Sequence, residues 1–290
     1  MKATVGVVGL GLLGHAVAAR LLAAGHAVVG HDILAEKREA LAGLGGTPAP
    51  SVTAVAQAAE VVCLLLPSLA AVEAALLGPD GVVGAARSGQ TVVQMSTISP
   101  ALTERLARET EARGLAFLDC PVSGTSAMVA RGEGLLLVGG ERAVVERWRP
   151  LLEAILPRAV YIGGAGQATV VKLAANLLVG LHTAAAAEAL ALVRRAGLEP
   201  GAVLDVLAAS AGTSRMLELR GPMMVRGEFP AQMKLDLFLK DLGLILDAAA
   251  AVDARLPLTA LAQRLYAAAA ADGHGGEDLA VVARAMERWP

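Results

Sequence analysis

The chain has 290 residues, long enough for one large domain or two smaller ones, and 55% of them are hydrophobic while only 2% are aromatic. Its formal net charge is −2 and it contains no block of lysine and arginine, which argues against a nucleic-acid partner. Cys63 and Cys120 lie in apolar runs without the spacing of metal ligands or of a disulfide framework. The uncharged stretch 173–187 is too short to span a bilayer, so we expect a cytoplasmic protein without a membrane partner.

Short β-rich segments alternate with helical ones through the first half of the chain. Strands are predicted at TVGVVG, AVVGHD, EVVCLLLP, QTVVQMS, LAFLDCP and GLLLVGG, and helices at 12–24, 35–44 and 100–113. Continuous apolar strands alternating with helices indicate an α/β domain whose parallel sheet is covered on both faces. After YIGGAGQ the strand signals stop, and a long helix is predicted from Thr169 to about Arg195, before Gly197 and Pro200. The remainder of the chain is predicted to be helical.

Three glycines follow the first predicted strand in G-x-G-x-x-G spacing and open a helix. Gly9 suits a tight turn, Gly11 allows the backbone to approach a pyrophosphate, and Gly14 allows close packing of helix on strand. The helix N-terminus offers free N–H groups to phosphates, and Leu12 and Leu13 are predicted cofactor contacts. The pattern predicts a Rossmann-type, doubly wound dinucleotide-binding domain over residues 1–165. The long helix joins it to an all-α domain over residues 166–290. A glycine-rich turn without a ligand is the alternative.

Asp32 ends the second predicted strand, 18 residues after Gly14. A carboxylate at this place binds both ribose hydroxyls and repels a 2′-phosphate. Because Ile33 rather than an arginine follows directly, NAD is favoured over NADP as the cofactor. Lys37 and Arg38 could still reach a phosphate, which keeps NADP open.

Loop residues follow two further strands at the sheet edge where doubly wound sheets bind ligands. Leu66 and Pro67 end one strand, and Ser96 and Thr97 end the next. We expect all four to contact the cofactor or the substrate. Ordinary turn chemistry is the alternative for Ser96 and Thr97.

A third loop holds the turn Ser123-Gly124-Thr125, whose hydroxyls and backbone N–H groups could close around a carboxylate. A plain connection between two strands would have a similar sequence. The pattern therefore leaves a substrate site and a simple loop as alternatives.

The long helix carries one narrow polar stripe on an otherwise apolar surface. At about 100° per residue its members fall within roughly 80° of one another; they are Thr169, Lys172, Asn176, Gly180 and Thr183. Lys172 could extend its ammonium to solvent, but Asn176 shares its face one turn later. Burial lowers the pKa of an ammonium group in general, a tuning that suits a general acid/base. Lys240, beside Asp241, reads by itself as half of a solvated ion pair.

Taken together, these segments resemble the β-hydroxyacid dehydrogenase family, which includes 3-hydroxyisobutyrate dehydrogenase and tartronate semialdehyde reductase. The motifs in family order are GVVGLGLLGHAVAARLLAAGH, MSTISP, DCPVSG with GEGLLLVGG, GGAGQATVVKLAANLL and KDLGLILDAA. The resemblance implies that Lys172 is the general acid/base and Asn176 its partner. It also implies that Ser123 and Gly124 bind the substrate carboxylate and that Lys240 closes the site as a contact of both cofactor and substrate. The helical domain would pack against its counterpart in a homodimer or homotetramer.

Several positions depart from the family pattern. Thr125, Met128 and Val129 stand where the family usually has a glycine and then a Gly-Ala pair. Ala175 replaces the first of two asparagines, and Leu13 replaces a common methionine. The catalytic residues of the family are kept while the substrate loop is altered. The resemblance therefore implies the family's chemistry more firmly than any particular substrate. The Thr125 hydroxyl could contact a more polar acid than hydroxyisobutyrate.

The expected activity is NAD-dependent oxidation of a short 3-hydroxy acid to its semialdehyde, or the reverse reduction, in a cleft between the two domains. Reduction of a tartronate- or sulfolactate-type semialdehyde is an alternative, as is imine reduction. A non-catalytic, dinucleotide-bound scaffold is the alternative from a different class. Relatives that reduce imines, and relatives that are non-catalytic scaffolds, generally lack the lysine found here as Lys172.

Overall fold

Residues 2–289 are described by a computed structural model, in which the chain divides into a first unit ending at Lys172 and a second beginning at Leu173. The strands of the described chain are β1 Thr4–Val8, β2 Ala27–His31, β3 Thr47–Pro48, β4 Val61–Leu64, β5 Thr91–Gln94, β6 Ala116–Asp119, β7 Val122–Ser123, β8 Leu135–Gly140 and β9 Ala159–Gly163. The helices of the first unit are α1 Leu12–Ala23, α2 Ala35–Gly43, α3 Val52–Ala58, α4 Leu69–Leu77, α5 Val82–Ala85, α6 Pro100–Glu111, α7 Ser126–Ala130 and α8 Arg142–Ile155. Helix α9, Gln167–Arg195, begins in the first unit and continues into the second.

The strands form one sheet in the order β3-β2-β1-β4-β5-β6-β8-β7, with β9 paired to β8. The six strands from β3 to β6 are parallel, which confirms the predicted doubly wound fold. Strand β8 runs antiparallel to β6 and β7, a reversal that the sequence pattern did not predict. Gly132 and Gly134 precede β8 with φ of 75° and 107°, a backbone region that favours glycine, and they turn the chain back.

Alternate residues of the central strands enter two separate cores. Val61 and Cys63 belong to the cluster that includes residues of α1 and α8, whereas Val62 and Leu64 belong to the cluster that includes residues of α3, α4 and α6. Because side chains alternate across a strand, continuous apolar runs require helices on both faces. Cys63 and Cys120 are free and buried, and burial raises the pKa of the Cys63 thiol to about 12.

Among the helices within residues 2–289, α9 is the one with the length and apolarity of a membrane-crossing helix: it has 29 residues, and its most apolar 18-residue window has a mean hydropathy of 1.5. The uncharged stretch 173–187 is only part of α9. The whole helix is long enough to cross a bilayer, so its length does not exclude a membrane span. Central helices of soluble proteins meet the same criterion, and 39% of the most apolar window of α9 is buried inside the protein. Its polar stripe, described below, lies on that buried side.

The second unit is helical, as predicted. After α9 come α10 Pro200–Ala209, α11 Arg215–Arg226, α12 Leu235–Ala250, α13 Pro257–Ala269 and α14 Val282–Arg288, with one π-helical turn and one 3-10 turn between α13 and α14. The Tyr266 hydroxyl donates to the Gly180 carbonyl at 2.8 Å, and the ring of Phe238 packs edge-on against Tyr266. A Cβ at Gly180 would lie 3.0 Å from Phe238, so the absence of a side chain there lets α12 approach α9 closely.

Candidate active site

The three glycines after β1 have distinct surroundings. Gly9 has φ of 92°, and a Cβ on it would lie 2.3 Å from the Leu65 carbonyl oxygen. A Cβ on Gly14 would lie 1.9 Å from the Gly9 carbonyl oxygen, whereas one on Gly11 would meet no atom within 4 Å. Gly9 and Gly14 are therefore required by the turn and the packing, while Gly11 leaves open space where a ligand can approach. Gly11 is also the N-cap of α1, and among the described residues no side chain caps that helix.

This loop fits a pyrophosphate. The first N–H groups of an α-helix have no partner within the helix and attract anions. Leu12 is exposed and Leu13 half-buried at the start of α1. The first turn of α1 and the space above Gly11 provide the cradle that a dinucleotide needs.

Asp32 follows β2 and is tied to the same loop. Its Oδ2 accepts a hydrogen bond from Leu10 N at 2.8 Å, and its Oδ1 accepts one from Leu34 N at 3.0 Å. The Arg38 guanidinium donates to the backbone oxygen of Asp32 at 2.5 Å. The carboxylate predicted to meet the ribose and a cation that could meet a phosphate therefore lie at the same strand end.

Ser96 joins the ends of two neighbouring strands. It is buried, and its Oγ accepts from Leu66 N at 2.8 Å and donates to Leu64 O at 3.3 Å. The turn chemistry considered for Ser96 is therefore observed, and the residue shapes the loop after β4. Thr97 and Leu66 are half-buried and Pro67 is exposed at the same edge of the sheet.

The predicted substrate turn begins at the last residue of β7. Ser123 pairs with Leu135 of β8, and Gly124 is exposed with φ of 152°. Thr125 is the N-cap of α7, since its Oγ1 accepts a hydrogen bond from Met128 N at 3.3 Å. This capping role was missed from the sequence, although Thr is a favoured N-cap residue. The Thr125 hydroxyl retains its proton for donation to another group.

The polar stripe predicted on α9 lies on the buried side of the helix. Thr169, Asn176 and Thr183 are buried and Lys172 is half-buried, whereas Glu188 is exposed. Lys172 and Asn176 are one helical turn apart on this side.

Asn176 is oriented by a residue that the sequence did not single out. Its Nδ2 donates to Oδ2 of Asp241 at 2.8 Å, and the Nζ of Lys240 lies 3.0 Å from Oδ1 of the same carboxylate. Asp241 is 2% exposed and the Lys240 side chain 29% exposed, so the pair is not the solvated one expected. An ionised carboxylate only accepts hydrogen bonds, so the amide nitrogen of Asn176 must face Asp241.

Two protein-family models match the chain in tandem. Residues 4–163 match one described as the NAD binding domain of 6-phosphogluconate dehydrogenase. Residues 164–286 match one described as NAD-binding of NADP-dependent 3-hydroxyisobutyrate dehydrogenase. Together they cover almost the whole chain in the order that the motifs indicated.

Individual relatives agree. L-threonate dehydrogenase of Cupriavidus necator is 38% identical over 279 residues, which cover 96% of this chain and 94% of that protein. 2-Hydroxy-3-oxopropionate reductase of Escherichia coli is 34% identical, over 97% of this chain and 96% of that protein. The crystal structure of 3-hydroxyisobutyrate dehydrogenase from Salmonella typhimurium superposes with a TM-score of 0.89 at 35% identity, covering 97% of this chain and 99% of that one. The chain therefore belongs to the β-hydroxyacid dehydrogenase family of NAD(P)-dependent oxidoreductases.

Proposed function

We propose that this enzyme uses NAD to interconvert a short hydroxy acid and the corresponding semialdehyde or oxo acid, with Lys172 as general acid/base. The observation that carries the proposal is the arrangement on α9. Lys172 and Asn176 occupy the same buried side one turn apart, and a buried carboxylate fixes the Asn176 amide. A helix that merely packed in a core would have no need of this polar pair.

The roles follow from what each group can donate or accept. A nicotinamide cofactor, when bound, would supply the hydride acceptor or donor for the substrate carbon. Lys172 takes the hydroxyl proton during oxidation and gives it back during reduction, so its amine must be neutral when oxidation begins. Asn176 has two N–H bonds on Nδ2, and one points to Asp241. The other donates to the reacting oxygen and holds it while the proton moves.

The substrate carries a small carboxylate. We propose that Ser123 and Gly124 bind that carboxylate through a hydroxyl and a backbone N–H. For Lys240 we propose a cationic contact to the cofactor and the substrate. Thr125 adds a hydroxyl donor toward a polar substrate carbon chain. The similarity to an L-threonate dehydrogenase supports a polyhydroxylated acid alongside the 3-hydroxyisobutyrate-like substrate expected from the sequence.

The experiment is a spectrophotometric assay of NADH formation over a panel of short hydroxy acids, with NAD and NADP in parallel. The panel holds L-threonate, 3-hydroxyisobutyrate and glycerate, and 2-hydroxy-3-oxopropionate is tested in the reducing direction. We expect turnover of at least one compound with NAD. Binding of NAD without turnover of any compound would favour the non-catalytic scaffold instead.

NAD is favoured over NADP by Asp32, because a fixed carboxylate at the end of β2 repels a 2′-phosphate. Arg38 opposes this preference, since its guanidinium reaches the Asp32 backbone. The ratio of kcat/KM for the two cofactors decides between them, and a ratio that favours NADP would contradict the assignment.

We infer that the enzyme is a homodimer or homotetramer that assembles through its helical unit. That unit leaves several large apolar side chains exposed on α9, α10 and α13; they are Leu178, Leu192, Val206, Leu258 and Leu261. Contiguous exposed apolar patches mark interaction surfaces, and we infer that these side chains contribute to one. Light scattering after size-exclusion chromatography gives the mass, and a monomer at micromolar concentration would contradict the inference.

We also propose that the protein is cytoplasmic, with α9 as a central helix and not a membrane span. The polar stripe of α9 packs within the protein, and the buried Cys63 and Cys120 are unpaired thiols. Fractionation of cells without detergent tests this proposal. Recovery in the membrane pellet would contradict it.

A further inference from the structure

The carboxylate of Asp119 lies at the beginning of the lysine-bearing helix. Asp119 is the last residue of β6 and is fully buried. Its Oδ2 accepts hydrogen bonds from Gly166 N at 3.0 Å and Thr169 N at 2.9 Å. Its Oδ1 accepts a third from Thr169 Oγ1 at 2.7 Å. The donors lie in the first turn of α9 (Thr169) and immediately before that helix (Gly166), 50 and 47 residues away in the sequence.

Through these hydrogen bonds, a residue of strand β6 caps the N-terminus of α9. The first N–H groups of a helix lack partners within the helix, and a side-chain oxygen usually accepts from one of them. Here a strand residue accepts from Thr169 N in the first turn and from Gly166 N just before the helix, and its carboxylate lies at the positive end of the helix dipole. Burial raises the pKa of Asp119, while the hydrogen bonds from Thr169 and Gly166 act in the opposite direction. The site is therefore built around the carboxylate.

The backbone around this contact is packed too closely to shift without cost. A Cβ on Gly139, which pairs with Asp119 across β6 and β8, would lie 2.6 Å from the Gly164 carbonyl oxygen. Thr103 Oγ1 of α6 lies 3.3 Å from Thr169 Oγ1. The first turn of α9 is thus held from the sheet and from a neighbouring helix.

Lys172 is three residues after Thr169 on the same face of α9. Three residues along an α-helix correspond to a rise of about 4.5 Å, and their side chains point in directions that differ by about 60°. A movement of the Thr169 turn is therefore passed directly to the Lys172 side chain. Within the first unit, that turn rests on the end of β6, beside the strand ends that bear the cofactor candidates.

We propose that Asp119 is a positioning residue, which fixes the first turn of α9 to the end of β6 and thereby sets the place of the Lys172 amine. The DCPVSG segment would then have two functions: its loop contacts substrate, and its aspartate holds the catalytic helix. The inference rests on the proposed role of Lys172.

The experiment compares turnover with cofactor binding in Asp119→Ala, Asp119→Asn and Lys172→Ala. A misplacement of about 1 Å can lower kcat about 10²-fold, and we expect a loss of this order in Asp119→Ala with the NAD dissociation constant within about threefold of wild type. Asp119→Asn should recover kcat to within about tenfold of wild type, because its amide oxygen can replace Oδ2 and the Thr169 hydroxyl can turn to accept from the amide. A folded Asp119→Ala that retains wild-type kcat would overturn the proposal.

Ser51→Ala is the matched control for loss of a helix cap. Ser51 Oγ accepts from Ala54 N at the start of α3, outside the proposed site. We expect this variant to lose thermal stability and to keep kcat. An equal fall of kcat in Ser51→Ala and Asp119→Ala would show a general effect of instability and would contradict positioning.

Thr169→Val tests the positioning role of Asp119 if Asp119→Ala does not fold. It removes one of the three bonds and keeps the backbone N–H contact, so we expect a smaller loss of kcat, roughly tenfold, with unchanged NAD binding. Unchanged kcat in this variant would then overturn the proposal. Lys172→Ala separates the two claims: retained turnover there refutes the proposed function itself, whereas loss there with normal turnover in the Asp119 variants refutes only the positioning role.

Discussion

The side-chain amide of Asn176 and the carboxylate of Asp241 form a buried hydrogen bond of 2.8 Å between α9 and α12. The acceptor-only carboxylate determines which end of the amide faces away from it. Lys240, next to Asp241 in the chain, completes the group with a contact of 3.0 Å to the other carboxylate oxygen. In the mechanism proposed above, Asp241 acts on catalysis through both of its neighbours.

Removal of this carboxylate should affect turnover and stability together. In Asp241→Ala the buried Asn176 amide loses its hydrogen-bond acceptor. The unsatisfied donor lowers the free energy of unfolding by about 1–3 kcal/mol. We expect kcat to fall at least about tenfold, since the amide is then free to rotate away from the reacting oxygen. Steady-state kinetics and urea denaturation measure the two effects. Asp247→Ala is the control, because Asp247 is exposed on the same helix. Equal kinetics of the two variants would refute the role of Asp241.

The glycine loop allows a sharp contrast between two substitutions. Gly11→Ala introduces a methyl group into open space, so it should fold with wild-type stability and bind NAD at least about tenfold more weakly. Gly14→Ala forces a methyl group against the Gly9 carbonyl oxygen and should instead destabilise the fold. Thermal unfolding and NAD titration separate the effects. Wild-type NAD affinity in Gly11→Ala would show that the loop does not hold the cofactor.

The cofactor preference depends on opposing charges at the end of β2. Asp32→Ser removes the repulsion and should narrow the preference for NAD over NADP by about tenfold or more in kcat/KM. The double variant Asp32→Ser/Arg38→Ala should lose most of the NADP activity gained, because the nearby guanidinium is gone. An unchanged cofactor ratio in Asp32→Ser would mean that the carboxylate does not face the ribose.

Stability should fall in mild acid because of His26. Burial lowers the pKa of this imidazole below its ordinary value of 6.5, and its Nδ1 accepts a hydrogen bond from Ala3 N. The unfolded chain therefore binds a proton that the folded chain excludes. The contribution of His26 to the free energy of unfolding is complete above pH 6.5 and is lost as the pH falls from 6.5 through the lowered pKa of the folded state. In His26→Gln this part of the pH dependence should vanish in denaturation curves between pH 7 and pH 5. Identical pH slopes in both proteins would contradict the assignment.

The parts of the fold that could be predicted from the sequence are those coded by local patterns. The glycine spacing, the apolar strands and the long helix each depend on neighbours within a few turns, and their observed bounds lie close to the predicted ones. The direction of β8 was not predictable in this way. An apolar strand has the same composition whether it runs parallel or antiparallel to its neighbour, and the glycines that reverse it also suit an ordinary loop.

The candidate site was predictable where one helix carries it. The spacing of Lys172 and Asn176 indicates a shared face without any knowledge of tertiary structure. The structural roles of Asp119 and Asp241 could not be predicted, because their hydrogen-bond partners lie about 50 and 65 residues away in sequence. Asp241 in particular has the same sequence neighbours as a solvated ion pair, and only packing against α9 shows that it is buried.

The most direct test of the account is Lys172→Ala, assayed for kcat and for NAD affinity with the best substrate of the panel. A general acid/base that acts only on the proton should affect chemistry and leave the cofactor loop intact. We expect kcat to fall about 10²–10⁴-fold, while the NAD dissociation constant and the thermal midpoint stay near the wild-type values. Retention of most turnover, or a loss of NAD binding equal to the loss of turnover, would contradict the assignment of Lys172.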